Sequence, residues 1–206
     1  MKKRIRTPLT LATSTLAAIC IPLFTTTSAH AVEASAVEAS APHALASPVP
    51  PPGWWFHGPI TLSVKASHRC LDADTTGGGV NGNKVQIWDC NDMNQQWWDA
   101  YQEGSSDVFV FVNVKYQKCL DQDTHTHAQN GGKVQLWDCN WLVQQQWTYD
   151  ATTFPASTSW YPIRMNGAPG VVLDADANSG YVNGTKVQVY SFLNRDNQEW
   201  HSWPAG

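Results

Sequence analysis

The stretch Asn81-Gly82-Asn83-Lys84-Val85-Gln86-Ile87-Trp88-Asp89-Cys90 occurs three times in this chain with small changes. The second copy covers residues 130–139, and the third begins at Asn183. In each copy the Asn-Gly pair predicts a tight turn, and the four residues before the Trp-Asp pair or its equivalent alternate as a half-buried strand does. A unit that is repeated in this way sets the architecture of the whole domain.

The repeat extends in both directions from this stretch. A Leu-Asp pair precedes it, and the intervals Asp72 to Trp88, Asp121 to Trp137 and Asp174 to Tyr190 are each 16 residues. A Gln-x-Trp sequence follows it, and the period is 49 residues and then 53. No segment of useful length has the 3.6-residue period of a helix, whereas residues 108–112 are β-branched and aromatic, as strands are. We therefore predict an all-β fold of three pseudo-symmetric repeats of about 50 residues, each with about four short strands.

The cysteines follow the same repeat. Four of the five lie in the repeats, and four cysteines allow three pairings. Equivalent positions should have equivalent neighbours, so the repeat selects Cys70 with Cys90 and Cys119 with Cys139. Each bridge closes a loop of about 20 residues, worth roughly 3 kcal/mol in the chain-entropy model. The third repeat has Val172 and Phe192 at these positions, and we expect an apolar contact there.

The N-terminal residues have the character of an export signal and a linker. Residues 1–31 combine four cations, an apolar stretch and the end Ala29-His30-Ala31, as a cleavable secretory signal does; an uncleaved anchor is the alternative. Residues 32–57 are predicted to be a disordered Ala/Ser/Pro-rich linker with a Trp-rich end, and residues 58–206 the folded domain. The aromatic group 54–56 could pack on the domain as its first strand or form an exposed docking patch.

The composition excludes some classes of protein. The formal net charge is −4, and loss of residues 1–31 removes four of the 13 Lys and Arg but none of the 17 acids, which leaves about −8. A nucleic-acid binder needs a basic face, so that class is excluded. With an even number of cysteines after cleavage, we expect a secreted, disulfide-bonded protein with no membrane insertion.

Three copies of C-L-D, N-G-x-K-V-Q-[IL]-W-D-C and Q-x-W resemble the ricin B-type lectin family, whose members are β-trefoils that are also grouped as carbohydrate-binding modules. The resemblance covers about residues 58–204. It implies a pseudo-threefold β-trefoil with up to three sugar sites, one in each repeat, and glycans or polysaccharides as ligands. The Gln144 position departs from the family pattern, in which Asn is usual.

The residue chemistry agrees with this resemblance. In a strand, Gln86 and Trp88 share the face opposite Val85 and Ile87. An aromatic ring can cover the apolar face of a pyranose, while amides and carboxylates bind its hydroxyls. By resemblance, the carbohydrate-binding residues are Asp72, Gln86, Trp88, Asn94 and Gln95 in the first repeat, Asp121, Gln135, Trp137, Gln144 and Gln145 in the second, and Asp174, Gln188, Tyr190, Asn197 and Gln198 in the third.

Structural roles are open for some of these residues. The tryptophans of the Q-x-W sequences, taken as Trp97, Trp147 and Trp200, are predicted to be core residues. The amides Gln95, Gln145 and Gln198 could hydrogen-bond the backbone around the aspartates instead of a sugar. The three aspartates could serve only as turn formers.

Other chemistry finds little support in the sequence. His125 and His127 have no evident third metal ligand, so we expect no metal and no cofactor. The recurrence of the same acids in every repeat argues against a glycosidase, because an active site is normally built once. We therefore expect a non-catalytic lectin for galactosyl or xylan-like glycans. The alternative is a glycan-targeting subunit of a secreted toxin or hydrolase complex, which docks a protein partner through the Trp-rich N-terminal segment.

Overall fold

The computed structural model describes residues 47–149 and 159–206. The predicted signal peptide and most of the predicted linker lie outside these residues. The described part contains twelve β-strands and five short 3₁₀ turns, with no α-helix among them. Within that part, no helix is long and apolar enough to cross a membrane.

Each repeat contributes four strands, as the sequence predicts. The first repeat supplies β1 (Trp54–Val64), β2 (Cys70–Ala73), β3 (Asn83–Trp88) and β4 (Trp98–Glu103). The second supplies β5 (Val108–Asn113), β6 (Lys118–Gln122), β7 (Gly132–Trp137) and β8 (Trp147–Thr148). The third supplies β9 (Arg164–Met165), β10 (Ala168–Ala175), β11 (Thr185–Ser191) and β12 (Trp200–Pro204).

The first and last strands of each repeat form an antiparallel barrel. Pairing runs from β12 through β1, β4, β5 and β8 to β9. The circle closes just before β9, where the backbone N–H of Tyr161 donates to the Trp200 carbonyl at 2.9 Å and the reverse bond is 2.8 Å. Closure leaves the barrel with no continuous open edge.

The middle strands of each repeat form a hairpin, and the three hairpins meet. These are β2–β3, β6–β7 and β10–β11. Their second strands pair with one another, β3 with β7, β7 with β11 and β11 with β3. A six-stranded barrel with a triplet of hairpins is the β-trefoil, so the predicted fold class is confirmed.

The core is built around one tryptophan from each repeat. Trp98, Trp147 and Trp200 are fully buried. Each indole Nε1–H donates to the carbonyl 27 residues earlier, at 3.0–3.1 Å, which satisfies the polar end of the ring. The prediction for the first repeat was wrong by one residue, because Trp97 is only partly buried and donates to Asp92 instead.

The predicted disulfide pairing is present. Cys70 bonds to Cys90 and Cys119 to Cys139, each across 20 residues. In the third repeat Val172 is fully buried, and the N–H of Phe192 donates to the Gly170 carbonyl at 2.9 Å. The Arg164 guanidinium lies 4.5 Å from the centre of the Phe192 ring.

The Trp-rich segment forms the first strand of the domain, which is one of its two predicted roles. Strand β1 begins at Trp54, so the last four residues of the predicted linker belong to the sheet. The Trp54 ring lies 5.4 Å from that of Trp141, and both cover a small cluster on the outer face of β4 and β5. Trp55 and Phe56 are 66% and 56% exposed. The segment is therefore a strand with one packed and two exposed aromatic side chains.

Candidate functional site

Each repeat carries a cavity built on a buried aspartate and a facing glutamine. Register pairs Asp72 with Gln86 on neighbouring strands, and the two other hairpins pair the equivalent residues. The Gln86 Nε2 donates to Asp72 Oδ1 at 3.0 Å. The same bond, also at 3.0 Å, joins Gln135 to Asp121 and Gln188 to Asp174. The register of each hairpin thus places the amide and the carboxylate side by side.

A second amide holds the other carboxylate oxygen. Gln96 Nε2 donates to Asp72 Oδ2 at 3.1 Å, and Gln145 and Gln198 do the same to their aspartates at 3.0 and 2.9 Å. Each of these glutamines also makes two hydrogen bonds to the backbone where the second strand of its hairpin ends. Its amide nitrogen donates to a carbonyl there, and its amide oxygen accepts a backbone N–H two residues later. These three glutamines are nearly or fully buried. They position the aspartate and the loop, which was one of the two roles left open for the Gln-x-Trp amide.

This result corrects the assignment of the first repeat. Gln96 is the equivalent of Gln145 and Gln198, whereas Gln95 is the equivalent of Gln144 and Asn197. Gln95 lines the first cavity, but Asn94 is exposed and does not line it. Gln144 is therefore not an exception within the chain, since the first repeat also has glutamine there.

Burial sets the protonation behaviour of the three aspartates. Asp72, Asp121 and Asp174 are at most 4% exposed, and this desolvation raises the pKa of each carboxyl. The amide hydrogen bonds act in the opposite direction and are the smaller effect. The carboxylates accept bonds inside a network and are more than turn formers.

An aromatic ring stands at the open side of each cavity. Trp88 and Trp137 end their strands and are 39% and 40% exposed, while Tyr190 is partly buried. Val85 and Ile87 on the opposite face are fully buried. The predicted separation of an apolar face from an amide–aromatic face is confirmed.

A second aspartate, which the sequence reasoning did not assign, shapes the far wall. Asp74 Oδ1 accepts from the backbone N–H and the hydroxyl of Thr76. In the second repeat Asp123 accepts from the backbone N–H of His125 at 2.9 Å, and its Oδ1 lies 3.0 Å from the His125 Nδ1. Asp176 and Asn178 repeat the motif in the third. The sequence pattern that marks this residue is the Asp-x-Asp of each repeat. The second aspartate fixes a turn because its side chain accepts the backbone N–H two residues later.

The Asn-Gly turn of each repeat is bound to the neighbouring repeat, and in the first two cavities it supplies another wall. Asn81 Nδ2 donates to the carboxylate of Asp138 at 2.7 Å and its Oδ1 accepts the Asp138 N–H at 2.9 Å. Asn183 makes both bonds to Asp89, and Asn130 Oδ1 accepts from the N–H and hydroxyl of Ser191. We call these three contacts the asparagine clasps.

The glycine after each asparagine has a positive φ of 81–88°. An added Cβ at Gly184 would point toward Trp88 and Gln86 at 3.8 and 3.9 Å. The first cavity, which Gly184 lines, and the second, which Asn81 and Gly82 line, are thus junctions between two repeats.

The three cavities differ in size. Their volumes are about 380, 540 and 170 Å³ in the order of the repeats. Thirteen of the fifteen predicted sugar contacts line them; the two exceptions are Asn94 and Gln145. Lining residues that were not predicted include Asp74, Lys84 and Asn91 in the first cavity, Asp123, His125, Lys133 and Asn140 in the second, and Asp176, Asn178, Leu193 and Arg195 in the third.

The histidines of the second repeat do not form a metal centre with their neighbours. His125 is bound to Asp123, and both His125 and His127 are exposed. Within residues 47–149 and 159–206, no group of three or more His, Cys, Asp or Glu side chains could hold a metal ion.

The sequence matches a known protein family. The family model of the ricin-type beta-trefoil lectin domain matches residues 57–158 and 107–206, which together cover residues 57–206. No curated protein matches the chain.

Among solved structures, the designed threefold-symmetric protein ThreeFoil aligns with a TM-score of 0.62 at 22% identity, over 70% of this chain and 97% of its own. The Rhizoctonia solani agglutinin aligns at 0.59 and 22%, over 77% and 99%. The Macrolepiota procera ricin B-like lectin, solved in complex with lactose, aligns at 0.57 and 11%, over 71% and 94%. These likenesses agree with the fold, and the two matches to the family model show that the chain belongs to the ricin-type β-trefoil lectin family.

Proposed function

We propose that the protein is a secreted, non-catalytic lectin that binds galactosyl or xylan-like glycans through its three cavities. One observation carries this proposal: a buried carboxylate, a facing amide and an exposed aromatic ring recur in all three repeats, with the same 3.0 Å bond between carboxylate and glutamine. A ricin B-like lectin of the same fold is known with lactose bound, which supports a galactosyl ligand.

The chemistry of the cavity suits a pyranose. An ionised carboxylate has about four acceptor positions, and two of those on Asp72 and on Asp121 hold glutamine amides. The remaining positions can accept two neighbouring hydroxyls of a sugar. The apolar face of the same sugar can then lie on the exposed ring of Trp88 or Trp137.

Several weak sites would act together. A single shallow site with a Kd of ~1 mM supplies only about −4 kcal/mol. Contact by two or three sites with one polysaccharide or cell surface can add about 10²–10⁴ in avidity. The threefold arrangement of the cavities favours such multivalent binding over tight binding of one free sugar.

Catalysis is not proposed, because every carboxylate that faces a cavity recurs in each repeat and is engaged by amides, hydroxyls or backbone N–H groups. Secretion is supported by the two disulfides, which persist in oxidising compartments.

The test replaces the three aspartates together, Asp72→Ala, Asp121→Ala and Asp174→Ala, in oxidised residues 32–206. We expect wild type to bind galactosides or xylan on a glycan array and the triple variant to lose this binding. The control is Glu103→Ala, an exposed acid at the end of β4 that lines none of the three cavities. Near-ultraviolet circular dichroism of the buried tryptophans shows whether each variant is folded. Binding that survives in the folded triple variant contradicts the site assignment.

A second function is favoured by the exposed aromatic pair of β1. Trp55 and Phe56 are large apolar side chains that remain more than half exposed, one on each face of the strand, and exposed apolar side chains of this size often contact other proteins. The chain would then be a glycan-targeting subunit that delivers a secreted partner.

The double substitution Trp55→Ser and Phe56→Ser tests this second function while Trp54 stays packed. In a pull-down from the secreted proteins of the source organism, a partner should be recovered by wild type and by Val49→Ser but not by the double variant. Val49 is a suitable control because it is an 85% exposed apolar residue of the preceding proline-rich stretch. Equal recovery by all three baits contradicts docking at this pair.

A further inference from the structure

The third cavity contains an arginine that the other two lack. Arg195 lines this cavity, whereas the equivalent positions in the first and second repeats are Met93 and Leu142. Of the three arginines in the described residues, Arg69 pairs with Asp89 and Arg164 stacks on Phe192. The guanidinium of Arg195 has no hydrogen-bond acceptor or ion-pair partner within 47–149 and 159–206. It is the arginine that is available to a ligand.

The cation that lines the cavity also differs between the repeats. The first and second repeats each provide two carboxylates and one lysine at the equivalent positions around the cavity. The third cavity is lined by two carboxylates and Arg195, while Lys186, the equivalent of those lysines, lies 3.6 Å from Asp176 and does not line the cavity. The cation of the third cavity is therefore an arginine at a different position on the rim, and its guanidinium is open to an anion.

The third carboxylate is also less able to hold a neutral sugar. Asp174 accepts three amides, because Asn197 Nδ2 donates to its Oδ2 at 2.8 Å in addition to the two glutamines. Asp121 accepts two, since Gln144 is directed to Asn140 instead. At Asp72 the Gln95 amide is directed to Asn91 at 3.4 Å and acts on the carboxylate less strongly than Gln86 and Gln96 do. Of about four acceptor positions, Asp174 keeps one and cannot bind a pair of neighbouring hydroxyls as the others can.

The rim changes accordingly. Leu193 stands where the first two cavities have Asn91 and Asn140, so an amide that could reach a hydroxyl is replaced by an apolar side chain. Tyr190 still offers an aromatic face on the same strand position as Trp88. The cavity keeps a platform for a sugar ring, loses polar contacts and gains an arginine.

We propose that the third cavity binds a uronic-acid residue of an acidic glycan, with its ring on Tyr190 and its carboxylate on Arg195. This assignment rests on the proposed lectin function and adds a second ligand class to it. Arginine is suited to the task because its planar fork can bind both oxygens of a carboxylate. The first two cavities then bind neutral sugars, so that one molecule recognises both components of a mixed polysaccharide.

The test compares two ligands, an oligogalacturonide and a neutral galacto-oligosaccharide of equal length, by isothermal titration at 0.15 M salt. Arg195→Leu installs the residue of the second repeat. We expect this variant to bind the oligogalacturonide about 10- to 100-fold more weakly, as the loss of a charge-assisted hydrogen-bond pair implies, and the neutral ligand as wild type does. The double variant Asp72→Ala and Asp121→Ala should show the opposite pattern.

Lys115→Leu is the charge control, because it removes one positive charge from an exposed residue that lines none of the three cavities. Equal losses in Lys115→Leu and Arg195→Leu would mean nonspecific attraction and overturn the assignment. So would an unchanged affinity for the oligogalacturonide in Arg195→Leu. Binding of the neutral ligand without the acidic one overturns this inference only, whereas binding of neither ligand overturns it and also contradicts a galactosyl ligand for the lectin.

Discussion

The first two repeats and the third differ mainly at the rims of their cavities and share the residues that hold each cavity to the core. All three keep the buried tryptophan, its bond to the carbonyl 27 residues earlier, and the carboxylate between two glutamines. The third repeat alone lacks the disulfide, has tyrosine in place of tryptophan at the cavity mouth, and carries Leu193 and Arg195. Buried polar networks tolerate little change because an unpaired member is costly, so divergence is concentrated at the rims.

The largest expected effect tests the part that the repeats share. Trp98→Ala, Trp147→Ala and Trp200→Ala should each lower the free energy of unfolding by about 3–5 kcal/mol, since each leaves a large cavity and an unpaired carbonyl. Trp97→Ala should cost far less, because its ring is partly exposed. Urea denaturation followed by tryptophan fluorescence measures both. A large loss in Trp97→Ala together with a small one in Trp98→Ala would refute the corrected alignment of the first repeat.

The next effect tests a feature that the third repeat lacks. Replacing Cys70 and Cys90 with alanine should lower stability by roughly 3 kcal/mol, as expected for a bridge that closes about 20 residues. Installing the bridge in the third repeat with Val172→Cys and Phe192→Cys should raise it by up to the same amount. Thermal unfolding under oxidising and reducing conditions gives both values. If the bridge forms in the third repeat without raising the free energy of unfolding, the stacking of Arg164 on Phe192 already stabilises this repeat as the disulfides stabilise the other two.

Binding should also depend on pH through the buried carboxylates. Because burial raises the pKa of Asp72, Asp121 and Asp174 above the ordinary value of 3.8, these groups take up a proton at a higher pH than a free aspartate. Binding of neutral glycans should therefore fall as the solution is acidified through the raised pKa values of Asp72 and Asp121, and an array read over a pH series will show it. Affinity that holds constant down to pH 3.8 would contradict a carboxylate contact.

The fold should not be lost in the same step. A folded-state pKa above the unfolded one makes the ionised group unfavourable to folding near neutral pH, and this cost is removed as the pH falls from the raised folded-state pKa to the ordinary value of 3.8. These three groups therefore do not drive acid unfolding. Circular dichroism at each pH separates the loss of binding from the loss of structure.

The smallest expected effect concerns the ion pairs at the repeat junctions. Arg69 pairs with Asp89 and Lys118 with Asp138, while the third repeat has Val171 at the equivalent position. The two aspartates are 63% and 70% exposed, so Arg69→Val or Lys118→Val should cost less than about 1 kcal/mol. Salt dependence of the unfolding midpoint measures this cost. A loss of several kcal/mol would show that these pairs are essential to the junctions.

Much of the fold could be predicted because the repeat is visible in the sequence. The all-β class, the strand count, the disulfides and the alternation around Gln86 follow from spacing and periodicity, whereas the β-trefoil was predicted from the resemblance to the ricin B-type lectin family. The first repeat was misaligned because Trp97 and Trp98 are adjacent; counting the 49-residue period back from Trp147 selects Trp98. The same count gives Gln95, and not Asn94, as the residue of the first repeat that is equivalent to Gln144.

The remaining features depend on contacts between repeats. Asn81 and Asp138 are 57 residues apart, and only closure of the hairpin triplet brings them together. The local sequence does not indicate that Asn81 lines the cavity of the second repeat or that Gly184 lines the cavity of the first. Likewise, the unpaired state of Arg195 depends on what the three-dimensional structure places around it.

The asparagine clasps fix the copy number of this architecture. The first repeat clasps the second, the second clasps the third, and the third returns to the first. In an open solenoid a duplicated unit can be added at either end, but here an extra unit would have no free partner and a missing one would leave an asparagine without its acceptor. Evolution of such a chain can therefore change what each unit recognises, while the number of units stays at three.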